Sequence, residues 1–343
     1  MRMTNKFSHL LNDLLEGTSL KEKEAYELML SMANEDLLPG LSGAFLAGLR
    51  AKGETAEEIR GFARGMRDLA IRPKIPAGTP TLDTVGTGGD GSGSLNLSTG
   101  TGLLAAACGI RVVKHGNRSI SSQSGSADML EKIGMSLPTT EKKAIAALNH
   151  LGFTFLFSPV FHPAMKAIMP VRNALGVRTV FNMLGPLSNP ATPPFQLIGA
   201  FSNGAAKLMA ETLSGLPIKR AFVVHGASSW DEATPIGEFH LYEVTPGNVT
   251  ETLRQPEDYG LKRCLPEDLL GKDAAYNARA LELVFSQEDK GAHCDALLMG
   301  TSLVLEVMGK VNNPKEGVQA AKQILENGQA LFFLNKFKTF FLK

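Results

Sequence analysis

The 343-residue chain has three cysteines, one tryptophan and no excess of either charge. Each scarcity excludes something. Cys108, Cys264 and Cys294 are far apart, odd in number and without CxxC spacing. That argues against a disulfide framework or a zinc site and for a reducing compartment. With 35 basic and 34 acidic residues the formal charge is +1. A balanced chain offers no global field to nucleic acid or to an acidic membrane, so any anion must be held locally. The longest apolar stretches, such as TGLLAAACGIRVV, are too short and interrupted to span a bilayer. The opening MRMTNKFSHLLNDLLEG lacks the apolar run and cleavage site of a signal peptide. The expectation is a cytoplasmic globular protein with neither nucleic acid nor membrane as partner. Internal repeats and low-complexity segments are missing. So are the dinucleotide fingerprint G-x-G-x-x-G and the Gly-Lys-Ser/Thr of a Walker loop.

What is present has two textures. Residues 1 to about 75 read as helices only. SLKEKEAYELMLSMA predicts a helix with Ser19 at the N-cap and Glu22 three residues on. Ala25, Leu28, Met29 and Met32 then recur at helical spacing. TAEEIRGFARGMRDLA repeats the capping pattern with Thr55 and Glu58. After the proline-rich IRPKIPAGTP, short β-rich runs (TLDTVG, RVVKHG, FTFLFS, FQLIGAF, RAFVVHG, EFHLYEV) alternate with helical ones. This predicts an α/β domain with a mostly parallel central sheet. HPAMKAIMPVRNALGVRTVFNMLGPLSNP breaks the rhythm and is expected to return to the helical layer. The division is then a small N-terminal helical domain, 1–75 with a returning segment about 165–190, hinged to a larger α/β domain, 80–164 and 191–343. The Phe- and Lys-rich FFLNKFKTFFLK predicts a terminal helix with one apolar face, with a membrane-surface role as the lesser alternative.

Three stretches carry chemistry. DTVGTGGDGSGSLNLSTGTG, residues 83–102, places seven glycines and eight Ser, Thr or Asn residues in twenty positions. Such a turn between strand and helix can aim backbone N–H groups at phosphate, and the helix start adds donors. VVKHGNRSISSQSGSAD follows the next strand with Lys114, Asn117, Arg118 and a run of serines, which supply charge and directional donors. Two such loops on neighbouring strands suit a ligand with two phosphate groups. RAFVVHGASSWDEATPIGEFHLYEV carries Asp231-Glu232. An adjacent acidic pair is common on surfaces, but beside a diphosphate it suits Mg²⁺, with Ser98 as a further oxygen. Arg172 and Arg178 stand among apolar residues, either in a structural ion pair or as forks for a carboxylate. His115 is a candidate general base or a packing residue.

Assembled, these residues resemble the anthranilate phosphoribosyltransferases over essentially the whole chain. The specific marks are GTGGD, NLST, KHGNRSISSQSGSAD, PVRNALGVRTVFNMLGPLSNP and the Asp-Glu pair. The resemblance implies transfer from phosphoribosyl diphosphate (PRPP) to anthranilate, in the second step of tryptophan biosynthesis from chorismate. It also implies Mg²⁺, with two ions per subunit, and a homodimer formed through the helical domain. Carried over by motif, Gly86, Gly89, Asp90, Ser94, Asn96, Leu97, Ser98 and Thr99 would hold PRPP. So would Lys114, His115, Gly116, Asn117, Arg118, Ser119, Ile120, Ser121, Ser122 and Ser126. Gly86, Asn117 and Arg172 would meet anthranilate, and Ser98, Asp231 and Glu232 would bind the metal. Two departures stand out. Ser228-Ser229-Trp230 replaces a frequent Asp-Gly-Leu, which puts local loop contacts in doubt, and Gln123 replaces a frequent lysine. A nucleoside phosphorylase of the same fold and a non-catalytic nucleic-acid-binding relative are the rivals. The acidic pair and NLST speak against the first, balanced charge and intact motifs against the second.

Overall fold

The computed structural model describes residues 2–76, 78–119 and 123–342. Four helices open the chain, Arg2–Leu15, Glu22–Ala33, Pro39–Lys52 and Ala56–Asp68. Ala25, Leu28, Met29 and Met32 are all buried, as their spacing predicts. The Thr55–Glu58 box forms: Thr55 N–H donates to the Glu58 carboxylate at 2.8 Å and Glu58 N–H to Thr55 Oγ1 at 3.3 Å. Ser19 is not an N-cap. The second helix begins after Lys21, whose N–H donates to Glu24 at 2.8 Å. Leu20 is drawn into the core and its N–H donates to buried Glu58 at 2.8 Å, so the chain stays extended there. Tertiary burial overrides the local capping signal.

Seven strands form one sheet in the order β3-β2-β1-β4-β5-β6-β7. They are β1 Thr81–Gly86, β2 Arg111–Gly116, β3 Phe153–Phe157, β4 Phe195–Gly199, β5 Arg220–His225, β6 Phe239–Thr245 and β7 Asn248–Arg254. Strands β3 to β5 in that order are parallel, while β5-β6 and β6-β7 are antiparallel. The first six coincide with the β-rich runs. Strand β7 has no counterpart among them. It is an edge strand with most residues exposed, so it shows no apolar alternation to read.

Alternate strand residues face two cores. Leu82, Val112, Leu197, Phe222 and Val224 join helices Leu97–Ala107, Ala274–Phe285, Ala292–Val307 and the terminal helix Gln329–Phe341, which buries Phe333, Phe337 and Phe341. On the other face Ile198, Ala221, Val223 and Val244 join helix Asn203–Ser214 and the N-terminal helices. The returning helices Met165–Leu175 and Phe181–Leu187 give Ile168, Phe181, Leu184 and Leu187 to that second core. Phe181 meets Phe62 edge-on at 6.2 Å, and buried Arg67 Nε donates to Leu187 O at 2.8 Å.

Candidate active site

The strand order reverses direction between β1 and β4. Their carboxyl ends lie side by side, Gly86 in register with Gly199, and such a switch point opens a crevice for ligands. The segment after β5 lays Asp231 across that opening. A Cβ at Gly86 would stand 2.4 Å from Asp231 Oδ2, and one at Gly199 1.4 Å from the Asp231 carbonyl oxygen. Close approach therefore demands glycine at both positions.

Asp231 Oδ2 accepts from Gly88 N–H at 2.6 Å and from Thr87 Oγ1 at 3.4 Å. Asp90 Oδ2 in turn accepts the Asp231 N–H at 3.1 Å. Glu232 Oε1 accepts from Ser98 N–H at 2.7 Å, while its Oε2 is buried without a partner among the described residues. Burial, then the Asp90 charge, pushes the Asp231 carboxyl up to about 7; burial and Asp231 push Glu232 well above the usual range. Lys114 is buried beneath them, donating to Thr84 O and, at 3.4 Å, to Ser98 Oγ. Burial lowers its pKa, against the pull of Asp83, Glu232 and Asp231. Two desolvated carboxylates, one with an orphaned oxygen, fit a hard divalent cation that keeps other oxygens from water and phosphate.

The sequence expectations need correcting at several points. Helix Leu97–Ala107 does not present a bare N-terminus, because Ser98 N–H is spent on Glu232. The Leu97 side chain lies in the core and Thr99 is fully buried, so only their main chains are candidates for ligand contact. Lys114 lies under the acidic pair, not on an open surface. Asn96 bolts the two loops together: Nδ2 donates to Ser124 O at 2.9 Å, and Oδ1 accepts from Ser124 Oγ at 3.0 Å and Asn277 Nδ2 at 2.9 Å. The strip Leu269–Gly271 stitches the glycine loop through Leu95 N–H to Leu269 O at 3.0 Å and Gly271 N–H to Gly93 O at 2.8 Å, beside Ser94. Gly116 ends β2, Asn117 and Arg118 are exposed, and Ser126 opens helix Ser126–Ile133. Arg118 is engaged by Asp128 at 2.9 Å and Glu131 at 2.6 Å, and Ser119 N–H donates to Asp128 at 3.1 Å. Ile120, Ser121 and Ser122 lie outside the described residues.

Comparison with known proteins bears on the family and the fold. Residues 78–331 match the Glycosyl transferase family, a/b domain, and residues 8–70 the Glycosyl transferase family, helical bundle domain. An anthranilate phosphoribosyltransferase from Rubrobacter xylanophilus is 42% identical, covering 94% of this chain and 93% of its own. The chain belongs to the anthranilate phosphoribosyltransferase family. The crystal structure of the Thermus thermophilus member superposes with a TM-score of 0.90 at 41% identity, covering 97% of this chain and 99% of that one. The Saccharomyces cerevisiae member in complex with PRPP and Mg gives 0.88 at 26% identity, with 98% of each chain covered.

Within the family frame, the departures at 228–230 take a definite form. Ser228 and Ser229 are left-handed, with φ of 58° and 62°, and Trp230 is buried in the sheet core. Arg172 has no carboxylate within 4.0 Å among the described residues. It stacks 5.2 Å over Phe181, and burial lowers its pKa. His115 Nδ1 sits 3.2 Å from Gly185 O, and its ring lies 5.0 Å from that of His162. Burial drives the two down to about 3 and about 4, so both are neutral at pH 7. Sequence reading gave no role to Asn277, His162 or Asn189. Asn189 donates to buried Asp83 at 2.7 Å, and Asp83 accepts His115 N–H at 3.2 Å. Asn189 and Asn277 act through partners more than a hundred positions away, which no neighbouring residue signals.

Among the described residues no helix is long and apolar enough to cross a membrane.

Proposed function

We propose that the chain transfers the phosphoribosyl group of PRPP to the amine of anthranilate, releasing pyrophosphate and giving N-(5-phosphoribosyl)anthranilate in tryptophan biosynthesis. The observation that carries this reading is the acidic pair closing the Gly86–Gly199 switch point, with both donor-rich loops converging beside it.

The amine lone pair forms the new bond at the anomeric carbon as the bond to the diphosphate oxygen breaks. The transition state is oxocarbenium-like, and the amine proton leaves to solvent. Asp231, Glu232 and Ser98 would hold magnesium, in our reading two ions per subunit, which supplies charge neutralisation on the leaving diphosphate. Gly86, Gly89, Asp90, Ser94, Asn96 and the Lys114–Ser119 run with Ser126 line the PRPP side through main-chain and hydroxyl donors. Lys114 offsets the buried acids from below. His115 enters neutral, with its ring nitrogen Nε2 buried and without a partner among the described residues. An arylamine needs no strong base, so positioning carries much of the rate. Arg172, half-buried and without an acid partner among the described residues, suits the anthranilate carboxylate; Gly86 and Asn117 would be its further contacts.

We further infer a cytoplasmic homodimer through the helical layer, where Leu15 and Leu38 are exposed. The hinge divides 1–75 with 165–190 from the rest.

The test is fluorimetric. Anthranilate emission should decay only with PRPP and Mg²⁺ both present. Arg172→Ala should raise the anthranilate KM roughly 10- to 100-fold, the worth of one charge-assisted pair, with the PRPP KM moving far less. Equal shifts in both would remove the carboxylate role.

A further inference from the structure

Arg178 has no role in the reading above. It is exposed, in the stretch between the two returning helices, and no carboxylate lies within 4.0 Å among the described residues. Its guanidinium sits 4.4 Å over the Phe201 ring, and Nη2 donates to Gly89 O at 2.6 Å. An arginine on the helical side of the crevice thus reaches the glycine turn on the sheet side.

The turn has a particular need for that bond. Gly88 and Gly89 are successive left-handed residues, with φ of 66° and 71°, where glycine rotates at little cost. Asp231 holds the turn at Gly88 N–H and Asp90 holds Asp231 N–H, but among the described residues the peptide between Gly89 and Asp90 has only Arg178 on its carbonyl. In a planar trans peptide the C=O and N–H point in opposite directions. Fixing the carbonyl on Arg178 aims the Asp90 N–H the other way. A free peptide could turn its carbonyl oxygen toward an anion and repel it.

We propose that Arg178 is a positioning residue. Seated on Phe201, it orients the Gly89–Asp90 peptide so that the turn presents N–H groups to diphosphate. It also ties the turn to the segment that carries Arg172. The ligand named here rests on the reading of the site as a PRPP site.

Kinetics and calorimetry of PRPP with Mg²⁺ would test this on the full chain. Arg178→Ala should raise the PRPP KM and Kd about tenfold, as for one charge-assisted hydrogen bond. The anthranilate KM should stay within about twofold and Tm within about 2 °C, because the side chain is exposed. Arg178→Lys should recover part of the loss, and Phe201→Leu should shift the PRPP KM about threefold in the same direction. A PRPP KM unchanged in Arg178→Ala, an effect on anthranilate instead, or a fall in Tm with both KM values drifting together would each overturn the proposal. If the parent protein takes up no PRPP, the site reading falls and the proposal with it. If the parent binds and Arg178→Ala matches it, only the proposal falls.

Discussion

The two donor-rich loops sit on neighbouring strands and use the same residue types, yet they are held in opposite ways. The first, from Gly86 to Ser98, is bonded to distant parts of the chain: Asp231, Glu232, Ser124, Asn277, Leu269, Gly271 and Arg178. The second, after His115, leans on the helix it runs into. Asp128 accepts from Ser119 and Gly125, and Asp128 with Glu131 grips Arg118. A loop wired to the rest of the fold is preorganised. A loop whose cation is held by an exposed ion pair is redirected cheaply, because such pairs contribute about 1 kcal/mol or less. The arrangement reads as one jaw fixed by long-range bonds and one whose cation, Arg118, is held by a local ion pair.

The comparison breaks most completely at the acids that anchor the fixed jaw. Asp231→Asn with Glu232→Gln should lower kcat/KM by at least roughly 10³-fold and abolish any rise of Tm with added Mg²⁺. Without metal the same variant should be more stable than the parent. Both carboxyls are raised in the fold, so the parent loses stability as pH climbs through about 7. A gain on the order of 1–3 kcal/mol at pH 8, shrinking toward pH 5, is expected from thermal melts. Parent-like metal titration would contradict the assignment.

Next comes the bolt between the jaws. Asn96→Ala strands buried Asn277 Nδ2 and removes the two Asn96 bonds to Ser124, costing about 2–3 kcal/mol. The PRPP KM should rise about tenfold or more, and both loops should exchange amide protons faster. Protection changing in the first loop alone would show that Asn96 does not couple them.

The root of the second loop gives a pH test. His115 and His162 are held neutral, with folded values near 3 and 4. Their contribution is fully present above the unfolded value of about 6.5 and is lost as pH falls below it. His162→Phe keeps a ring there and should flatten the decline between pH 6.5 and pH 4, by on the order of 2–3 kcal/mol at the acid end. An unchanged slope in urea unfolding would mean that His162 is not held neutral.

How much of this was legible depends on the range of the signal. Six strands are legible because each is a short local run of apolar and β-branched residues, and the Thr55–Glu58 cap because its two partners are three residues apart. The glycine and serine density marked both loops for the same local reason. The wiring did not show. Ser98 N–H goes to Glu232 across 134 positions and Asn96 to Asn277 across 181, and nothing near Asn277 sets it apart from any helical asparagine. Lys114 looks like a free cation in KHGNR, but its strand places it under the acids. Leu20 defeated the Ser19 cap by the same long-range route, through Glu58.

The smallest expected effect lies where this chain departs from its relatives, in the loop that delivers the acids. Ser229 stands where the family resemblance leads one to expect glycine, and its φ is 62°. A side chain in the left-handed region costs about 1–2 kcal/mol. Ser229 is exposed, so no packing offsets that strain, while Trp230 beside it is anchored in the core and fixes the backbone path. Ser229→Gly relieves the strain but adds freedom to the unfolded chain, leaving a net gain of about 0.5–1 kcal/mol. Denaturant unfolding should show a higher midpoint at unchanged slope. A lower midpoint would mean that the left-handed pair is not strained and that serine at 229 contributes by restricting the unfolded chain.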